Sequence, residues 1–424
     1  MTTTPSTPKF DVGGVLLDRP FKAGRLGHVG LYQKNMDKAI VFYRDLLGFR
    51  ITDQISPEPP EAMKKKPPPG AGGPPGGPEG MPMPDLKGQR LTFFSYGTDH
   101  HAMVLVPAIL GQMMDKNYLR GVTLNQMSFQ VGTLDEMVNA HTLLQQKGAD
   151  IWRVCRDVPG SNWAVYFRDP DGHTCELYYG MEQIGWEGRS KPMPAFHEFA
   201  YEEAPELPRI AEREEISVIE AKGVPLASGF RSVDPMPAKY PVGGIILPRP
   251  FKITRTGPMS LFVNDIDASV RFYTAEMGLT VSEEVSWQGH RMVFLRASNE
   301  HHSVAVAPIA MRKELGLSEH TTVMAYGMQV GSYRQLKDAV AFLEENGCEQ
   351  IHLPSALFPG IDYAAHFLDP DGHCIQLYYY MEQIGWDGQP RPAGLRRQAV
   401  TPWPDTLEAL PDTYADRTFQ GPLG

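Results

Sequence analysis

Two hydrophobic periods alternate along the chain, and their order predicts a β-α-β-β-β unit. Residues 27–34 alternate polar and apolar side chains, as in a strand with one buried face. The next segment, DKAIVFYRDLLG, spaces its apolar residues as an amphipathic helix does and stops at Gly48, a residue type that often ends helices. Strand-like segments follow at 49–54, 90–96 and 101–107.

The same order of elements returns directly afterwards. A strand is predicted at 124–132, a helix at 134–148, and three more strands at 151–157, 163–169 and 174–180. The sequence DPDG between the last two strands is typical of a tight turn. This region therefore contains two β-α-β-β-β units.

A longer repeat doubles this arrangement. DPDGHTCELYYGMEQIGW at 169–186 returns as DPDGHCIQLYYYMEQIGW at 369–386, with fourteen of the eighteen positions identical. VGGVLLDRPFK and DHHAMVLVP likewise return as VGGIILPRPFK and EHHSVAVAP. The chain is therefore predicted to be an α+β protein of four β-α-β-β-β units, arranged as two tandem domains at 12–192 and 242–392.

Three segments lie outside the repeated pattern. Residues 56–86 are rich in Pro and Gly and have no counterpart in the second domain, which predicts a long loop in the first. Residues 193–241 form an acidic linker with a predicted helix near PELPRIAEREEISVIEAKG. The tail 393–424 is Pro-rich, and its segment WPDTLEALPDTY is predicted to dock as a short amphipathic helix.

Strand alternation gathers polar side chains on one face of the first domain. Gln126 and Ser128 share a face of their strand, opposite an apolar face that we expect to pack on the helix. His28 lies on the polar face of the first strand, and Glu176 and Tyr178 share a face of the last one. These polar faces are predicted to converge on a common site.

Composition and charge narrow the classes of partner. A formal net charge of −10 argues against nucleic acid or an anionic membrane surface as the partner. No apolar run reaches the roughly 18–20 residues that a membrane-spanning helix needs. The four cysteines are scattered without a CxxC pair, which favours reduced, mostly buried thiols. We therefore expect a soluble cytoplasmic protein.

Several motifs resemble the vicinal-oxygen-chelate superfamily, which includes glyoxalase I, bleomycin-resistance proteins and type I extradiol dioxygenases. The resemblance is carried by the repeated units, by FYRDLLGFRIT, by HHAMVLV and by the DPDGH turn followed three residues later by Glu176. It covers both domains, and the count of four units is most like the extradiol dioxygenases. It implies cup-shaped mixed sheets and one divalent metal, held in one domain only.

The resemblance also implies roles for particular residues of the first domain. The metal ligands would be His28, Glu176 and, at a position where the family has histidine, Gln126. Two interpretations of Gln126 stay open: an amide ligand to the metal, or a cup-lining amide that contacts substrate or water. The acid–base residue would be His101, and Tyr166 matches the family's tyrosine ten residues before the glutamate.

His101 has an adjacent histidine, His100. Neighbouring residues of a strand face opposite ways, so only one of the pair is expected to reach the site, and the alignment favours His101. A structural role for the pair stays open, because both histidines recur as His301 and His302 in the second domain.

The second domain lacks the implied ligand set. Pro258 stands where the first domain has His28, Ala325 where it has Gln126, and Gln376 where it has Glu176. If either domain is catalytic, it is therefore the first.

The function that the resemblance implies is a dioxygenase that uses Fe(II), or Mn(II), and O₂ to open a catechol-like aromatic ring. Ser128 and Tyr178 are the predicted substrate-contacting residues, the loop 56–86 is a predicted lid, MEQIGW is a predicted cover for the cup, and the chain is expected to form a homo-oligomer. Two alternatives stay open. One is a redox-neutral, glyoxalase-like enzyme with Mg²⁺, Zn²⁺ or Ni²⁺. The other is a metal-free binding protein of the bleomycin-resistance type.

Overall fold

A computed structural model describes residues 9–57, 86–385 and 387–408 of the chain. Most of the predicted loop, at 58–85, Trp386 and the end of the tail, at 409–424, lie outside these residues. The described residues form two eight-stranded mixed sheets and two short hairpins, with helices packed on the sheets.

The first domain contains ten strands and three helices. The strands are β1 (Phe10–Val12), β2 (Val15–Leu17), β3 (Arg25–Gln33), β4 (Arg50–Ile55), β5 (Leu91–Ser95), β6 (Met103–Pro107), β7 (Leu124–Val131), β8 (Ile151–Cys155), β9 (Ala164–Arg168) and β10 (Thr174–Tyr179). The helices are α1 (Met36–Ile40), α2 (Ala108–Met114) and α3 (Leu134–Gln146). A π-helical turn, Val41–Leu46, extends α1 to Gly48, whose φ of +84° ends it as expected.

The linker and the second domain continue the same order of elements. The linker carries α4 (Met193–Glu198) and α5 (Glu212–Ala221), the latter inside the segment predicted to be helical. The remaining helices are α6 (Ile266–Arg271), α7 (Met311–Glu314) and α8 (Tyr333–Glu345). The strands are β11 (Tyr240–Val242), β12 (Ile245–Leu247), β13 (Ile253–Val263), β14 (Thr280–Trp287), β15 (His290–Arg296), β16 (Val304–Pro308), β17 (Val323–Val330), β18 (Gln350–Ile351), β19 (Ala364–Leu368) and β20 (Cys374–Tyr378).

The sheet order joins two units at the centre of each sheet. It is β4-β5-β6-β3-β7-β10-β9-β8 in the first domain and β14-β15-β16-β13-β17-β20-β19-β18 in the second. The central strands β3 and β7 are antiparallel, and each has a parallel neighbour, β6 or β10. The predicted α+β class with four β-α-β-β-β units is therefore confirmed, while the hairpins β1–β2 and β11–β12 and the short helices α2 and α7 were not predicted.

The two faces of each sheet are buried differently. The helix-bearing faces of both sheets share one continuous apolar core, to which β7 contributes Met127, Phe129 and Val131 as predicted. In the second domain the opposite, concave face is filled by a further apolar cluster that includes Phe262, Phe294, Met324, Leu357 and Phe358. In the first domain the concave face carries only two smaller apolar clusters. The same domain also buries polar side chains, among them those of His28, Ser128 and Glu176.

The two DPDG turns also hold the domains together. Asp169 accepts a hydrogen bond from Tyr273 of the second domain at 2.9 Å, and Asp369 accepts one from Tyr43 of the first at 3.0 Å. Both aspartates are buried, and each also bonds a histidine of its own turn, at 2.8 Å for His173. The repeated motif is therefore part of the domain interface as well as a turn between strands.

One expectation about the ends of the domains is wrong for the described residues, and another holds only in part. Residues 403–408 of the predicted tail helix are not helical, and Trp403 instead packs its ring against Tyr333 and Tyr363. In the first MEQIGW segment, Met181 packs with Tyr166 and Tyr178, whereas Trp186 is 96% exposed and covers nothing. Glu182 of that segment is buried, and an ion pair with Arg156 at 2.8 Å compensates its charge.

No helix in the described part of the chain is long and apolar enough to cross a membrane. The cysteines are free, and three of them, Cys155, Cys175 and Cys374, are buried, as the scattered spacing predicted.

Replacement of Asp169 by alanine should destabilise the protein by about 3–5 kcal/mol, since it leaves a buried histidine and a buried tyrosine hydroxyl without their acceptor. Urea unfolding at neutral pH measures the change. Asp405→Ala is the control, because Asp405 is a fully exposed aspartate whose ion pair with Lys337 is screened by water and should contribute little to stability. Equal losses in the two variants would show that the interface does not depend on the turn.

Candidate metal and active site

Strand register aligns five polar side chains on the concave face of the first domain. Glu176 on β10 lies directly opposite Tyr166 on β9 and Ser128 on β7. Ser128 in turn lies opposite His28 on β3, and Gln126 lies two residues before Ser128 on the same face. The predicted site residues on these strands are therefore neighbours.

Glu176 is the centre of this group. Its Oε2 lies 2.9 Å from His28 Nε2 and accepts hydrogen bonds from Gln126 Nε2 at 3.1 Å and from the hydroxyl of Ser128. Its other oxygen accepts a longer bond from Ser161 at 3.5 Å. Since Glu176 has no exposed surface, these donors replace water around its charge.

The electrostatics of the site favour a charged Glu176 and a neutral Tyr166. Burial alone would raise the pKa of Glu176, but the charge of His28 and hydrogen bonds from His28, Ser128 and Tyr166 outweigh it and lower that pKa. Burial, followed by the nearby charge of Glu176, raises the pKa of the Tyr166 hydroxyl well above its ordinary range. Tyr166 therefore keeps its proton and can donate a hydrogen bond.

His28 is enclosed by two further predicted residues. Its ring lies 4.5 Å from the ring of His101 and 4.8 Å from that of Tyr178, both measured between centroids. Its Nδ1 is buried and has no hydrogen-bond partner among the described residues. Burial, together with the charges of His28 and His100, lowers the pKa of His101 well below 6.5, so His101 is neutral.

The expectation that His100 and His101 face opposite ways is wrong. Both lie in the loop before β6, where strand alternation does not apply, and both are buried. Their Nδ1 atoms lie 3.0 Å apart, so the two rings are hydrogen-bonded to one another. Only His101 of the pair makes a ring contact with His28.

Two of the candidate donor atoms stand at a separation that a divalent metal would fit. Two ligands about 2.1 Å from a metal and at right angles to each other lie roughly 3.0 Å apart, and His28 Nε2 lies 2.9 Å from Glu176 Oε2. The 3.1 Å contact between Gln126 and Glu176 is made by the amide nitrogen, not by the oxygen that could bind a metal. Within the described residues, no group of three or more His, Cys, Asp and Glu is placed to hold a metal.

An aromatic and a cationic residue beside Tyr166 were not predicted. A bulge in β8 places both Trp152 and Arg153 against Tyr166, with the guanidinium carbon 5.0 Å from the phenol centroid and the indole ring 5.6 Å away. The second domain has His352 and Leu353 at these positions. Comparison of the two repeats could have singled out the pair, although not the bulge that orients it.

The second domain has no equivalent group. Gln376 takes the place of Glu176, and its Nε2 lies 3.1 Å from His366 Nε2. Gly327 takes the place of Ser128, while Pro258 and Ala325 offer no donor. Burial, with a contribution from His352, lowers the pKa of His366 to about 3, which keeps this part of the second domain uncharged.

The sequence pattern of the Glyoxalase/Bleomycin resistance protein/Dioxygenase superfamily matches residues 25–177 and 254–377, which is more than half of the chain. The chain belongs to this superfamily. Metapyrocatechase 2 of Cupriavidus necator is 26% identical over 187 residues, which are 43% of this chain and 45% of that protein. The chain therefore matches less than half the length of this curated relative.

Solved structures with the same fold include dioxygenases and a glyoxalase. A halotolerant catechol dioxygenase, BphC, has a TM-score of 0.52 at 14% identity and covers 87% of this chain and 91% of its own. The 2,3-dioxygenase LapB of Pseudomonas sp. KL28 has a TM-score of 0.51 at 16% identity, with 87% and 96% covered. The Mn(II)-bound glyoxalase of Novosphingobium aromaticivorans has a TM-score of 0.50 at 14% identity, with 87% and 85% covered. At these identities the likeness shows a shared fold alone.

The difference between the two domains predicts the effect of a charge in the second. Gln376→Glu should destabilise the protein by roughly 2–4 kcal/mol, because it buries a carboxylate where the first domain's three donors are absent. Gln398→Glu, at an exposed position, is the control and should change stability by less than about 0.5 kcal/mol. A tolerated charge at 376 would mean that the second domain can supply donors after all.

Proposed function

We propose that the first domain is a metal-dependent extradiol dioxygenase, which opens a catechol-like aromatic ring with O₂. The observation that carries this proposal is the cluster of buried His28 and Glu176 with half-buried Gln126, and with His101 against His28, in one domain only. The superfamily and the fold shared with catechol dioxygenases support it.

The proposed metal is Fe(II), with Mn(II) as the second choice. His28 Nε2, one oxygen of Glu176 and the amide oxygen of Gln126 would hold it on one side. Gln126 points its NH₂ group at Glu176, so ligation requires a half-turn of the amide, whose two ends are nearly equal in shape. When bound, such a metal brings the two vicinal oxygens of a catechol together with O₂ and lets electrons pass between them.

The other residues of the cluster would transfer protons and position the aromatic ring of the substrate. His101 is neutral, so it can take a proton from a catechol hydroxyl and return it later in the reaction. Tyr166 keeps its proton and can donate a hydrogen bond to a substrate oxygen near Glu176. Ser128 holds Glu176 in place, and the ring of Tyr178 walls the site beside His28.

A second candidate is a redox-neutral, glyoxalase-like reaction. The observation in its favour is Gln126, since a ligand set with two oxygens suits a hard cation such as Mg²⁺ better than a two-histidine set does. A third candidate, metal-free binding, is favoured by the hydrogen bonds that already satisfy Glu176.

One experiment separates these candidates. The protein is purified without oxygen, its bound metal is measured, and Fe(II), a panel of catechols and O₂ are added while oxygen uptake and the yellow absorbance of ring-fission products are followed. Uptake that falls to background in Glu176→Gln and persists in the exposed control Glu349→Gln supports the dioxygenase. Bound metal without uptake supports the redox-neutral reaction, and no metal under any loading contradicts both.

Restoration of the family's histidine tests the ligand position. Gln126→His should bind Fe(II) at least several-fold more tightly, because imidazole is a stronger ligand for this metal than a neutral amide oxygen. Metal titration of the apoprotein measures the affinity. Gln145→His adds a histidine at an exposed helix position and should leave the affinity unchanged. An unchanged affinity in Gln126→His would mean that this residue does not face the metal.

A further inference from the structure

A cavity of about 300 Å³ lies where the two domains meet, and none of its lining residues belongs to the polar cluster of the first domain. Its walls come from the start of β4, from the segment before β13 and from the end of the linker. Leu47, Phe49 and Phe251 form an apolar part of the wall. Small-molecule sites have volumes of roughly 300–1,000 Å³, so the cavity can hold a small ligand.

Positive charge predominates around this cavity. Asp234 accepts a hydrogen bond from Arg249 at 2.6 Å, and Arg44 donates one to its neighbour Asp45 at 2.6 Å. These two carboxylates therefore balance two of the positive charges. The lining residues include four basic side chains and a single acidic one: Arg44, Arg50, Arg249, Lys252 and Asp234.

The other two cations donate to neutral acceptors. Arg50 Nη2 donates to the carbonyl of Gly97 at 2.8 Å, and Lys252 Nζ donates to that of Tyr96 at 2.7 Å. Burial lowers the pKa of Arg50, and its Nε is buried without a hydrogen-bond partner among the described residues. Burial, followed by the charge of Arg50, lowers the pKa of Lys252 to about 8. The two cations therefore repel one another across the domain boundary, and an anion between them would relieve the repulsion.

The repeat offers a comparison, because it places equivalent residues at a second, related position of the molecule. Thr274 and Thr280 stand there in place of Arg44 and Arg50. Lys22, the counterpart of Lys252, is exposed, whereas Lys252 is half-buried. The fold therefore does not require these cations, and their concentration at one of the two positions points to a ligand.

We propose that this cavity binds a phosphate group between Arg50 of the first domain and Lys252 of the second. A phosphate group carries a charge of about −1.5 to −2 at pH 7 and several acceptor oxygens, which suits two neighbouring cations. A guanidinium can offer it a fork of N–H donors, and an ammonium offers a point charge. The group could come from inorganic phosphate or from a small phosphate monoester, whose organic part the apolar wall would cover.

Calorimetric titration of the full-length chain in phosphate-free buffer of low ionic strength tests the proposal. Inorganic phosphate and glycerol 3-phosphate are the probes, and acetate is the singly charged comparison. One saturable site is expected for a phosphate probe, with much weaker binding of acetate. Tighter binding of the ester assigns the site to an organic phosphate, and equal binding assigns it to inorganic phosphate. Failure of both probes to bind, or acetate binding as tightly, would overturn the proposal.

Variants of the two cations locate the bound group. Arg50→Thr copies the second repeat and should weaken binding at least about tenfold, because a charge-assisted hydrogen bond is lost. Lys252→Gln should have a similar effect. Lys22→Gln is the matched control, since it removes the equivalent exposed charge and should leave the affinity unchanged. Equal affinities in Arg50→Thr and Lys22→Gln would contradict the proposal.

Thermal unfolding of the wild-type chain keeps the proposal falsifiable if the variants fail to fold. A ligand that binds only the folded protein raises the midpoint of unfolding. The bound probe should therefore raise it above the value in sodium chloride of equal ionic strength, and the same midpoint in both would count against the site. No catalysis is measured, so the result is independent of the proposed dioxygenase.

Discussion

Asp169 and Asp369 are the buried charges on which the rest of the structure depends. Asp169 fixes its own turn by accepting bonds from the backbone N–H groups of Asp171 and His173, and it fixes the domain interface through Tyr273. Burial would raise its pKa, but the charge and hydrogen bond of His173 and the hydroxyl of Tyr273 outweigh burial and lower it. β10 begins directly after this turn, so the anchor that joins the domains also sets where Glu176 lies. The position of Glu176 in the first domain therefore depends on the second domain, because the second domain supplies the tyrosine.

A comparison of the concave faces of the two domains explains why the residues of the polar cluster are all present in the first domain and all replaced in the second. A buried carboxylate is tolerated only with several donors around it, and Glu176 has His28, Gln126 and Ser128. Each of those donors would in turn be an unsatisfied polar group without the carboxylate. In the second domain all four positions have changed, and apolar side chains fill the concave face. When one of these residues is lost, the others lose a hydrogen-bond partner, and their burial becomes unfavourable.

The sequence predicted the strand faces well, because a period of two depends only on backbone geometry. It also singled out Glu176 and His28 as candidate site residues, because both are replaced in the second repeat, and the structure places them 2.9 Å apart. It failed where alternation does not hold: His100 and His101 lie in the loop before β6, and a bulge turns both Trp152 and Arg153 toward Tyr166. It could not predict the contacts of Asp169 and Asp369 across the interface, since the partners are more than one hundred residues away along the chain. Such contacts depend on how the domains pack, which no local pattern encodes.

Gln126 is the residue by which the cluster differs from a metal site with two histidine ligands. Two histidines would offer a metal two imidazole nitrogens, whereas an amide can satisfy Glu176 through its NH₂ end and a metal through its oxygen, but not both at once. In the proposed metal site, binding would therefore compete with the hydrogen bond from Gln126 and with the contact between His28 and Glu176. The same contacts satisfy the buried carboxylate without a metal. Such a site would not need the metal in order to fold, at the expense of holding the metal less tightly.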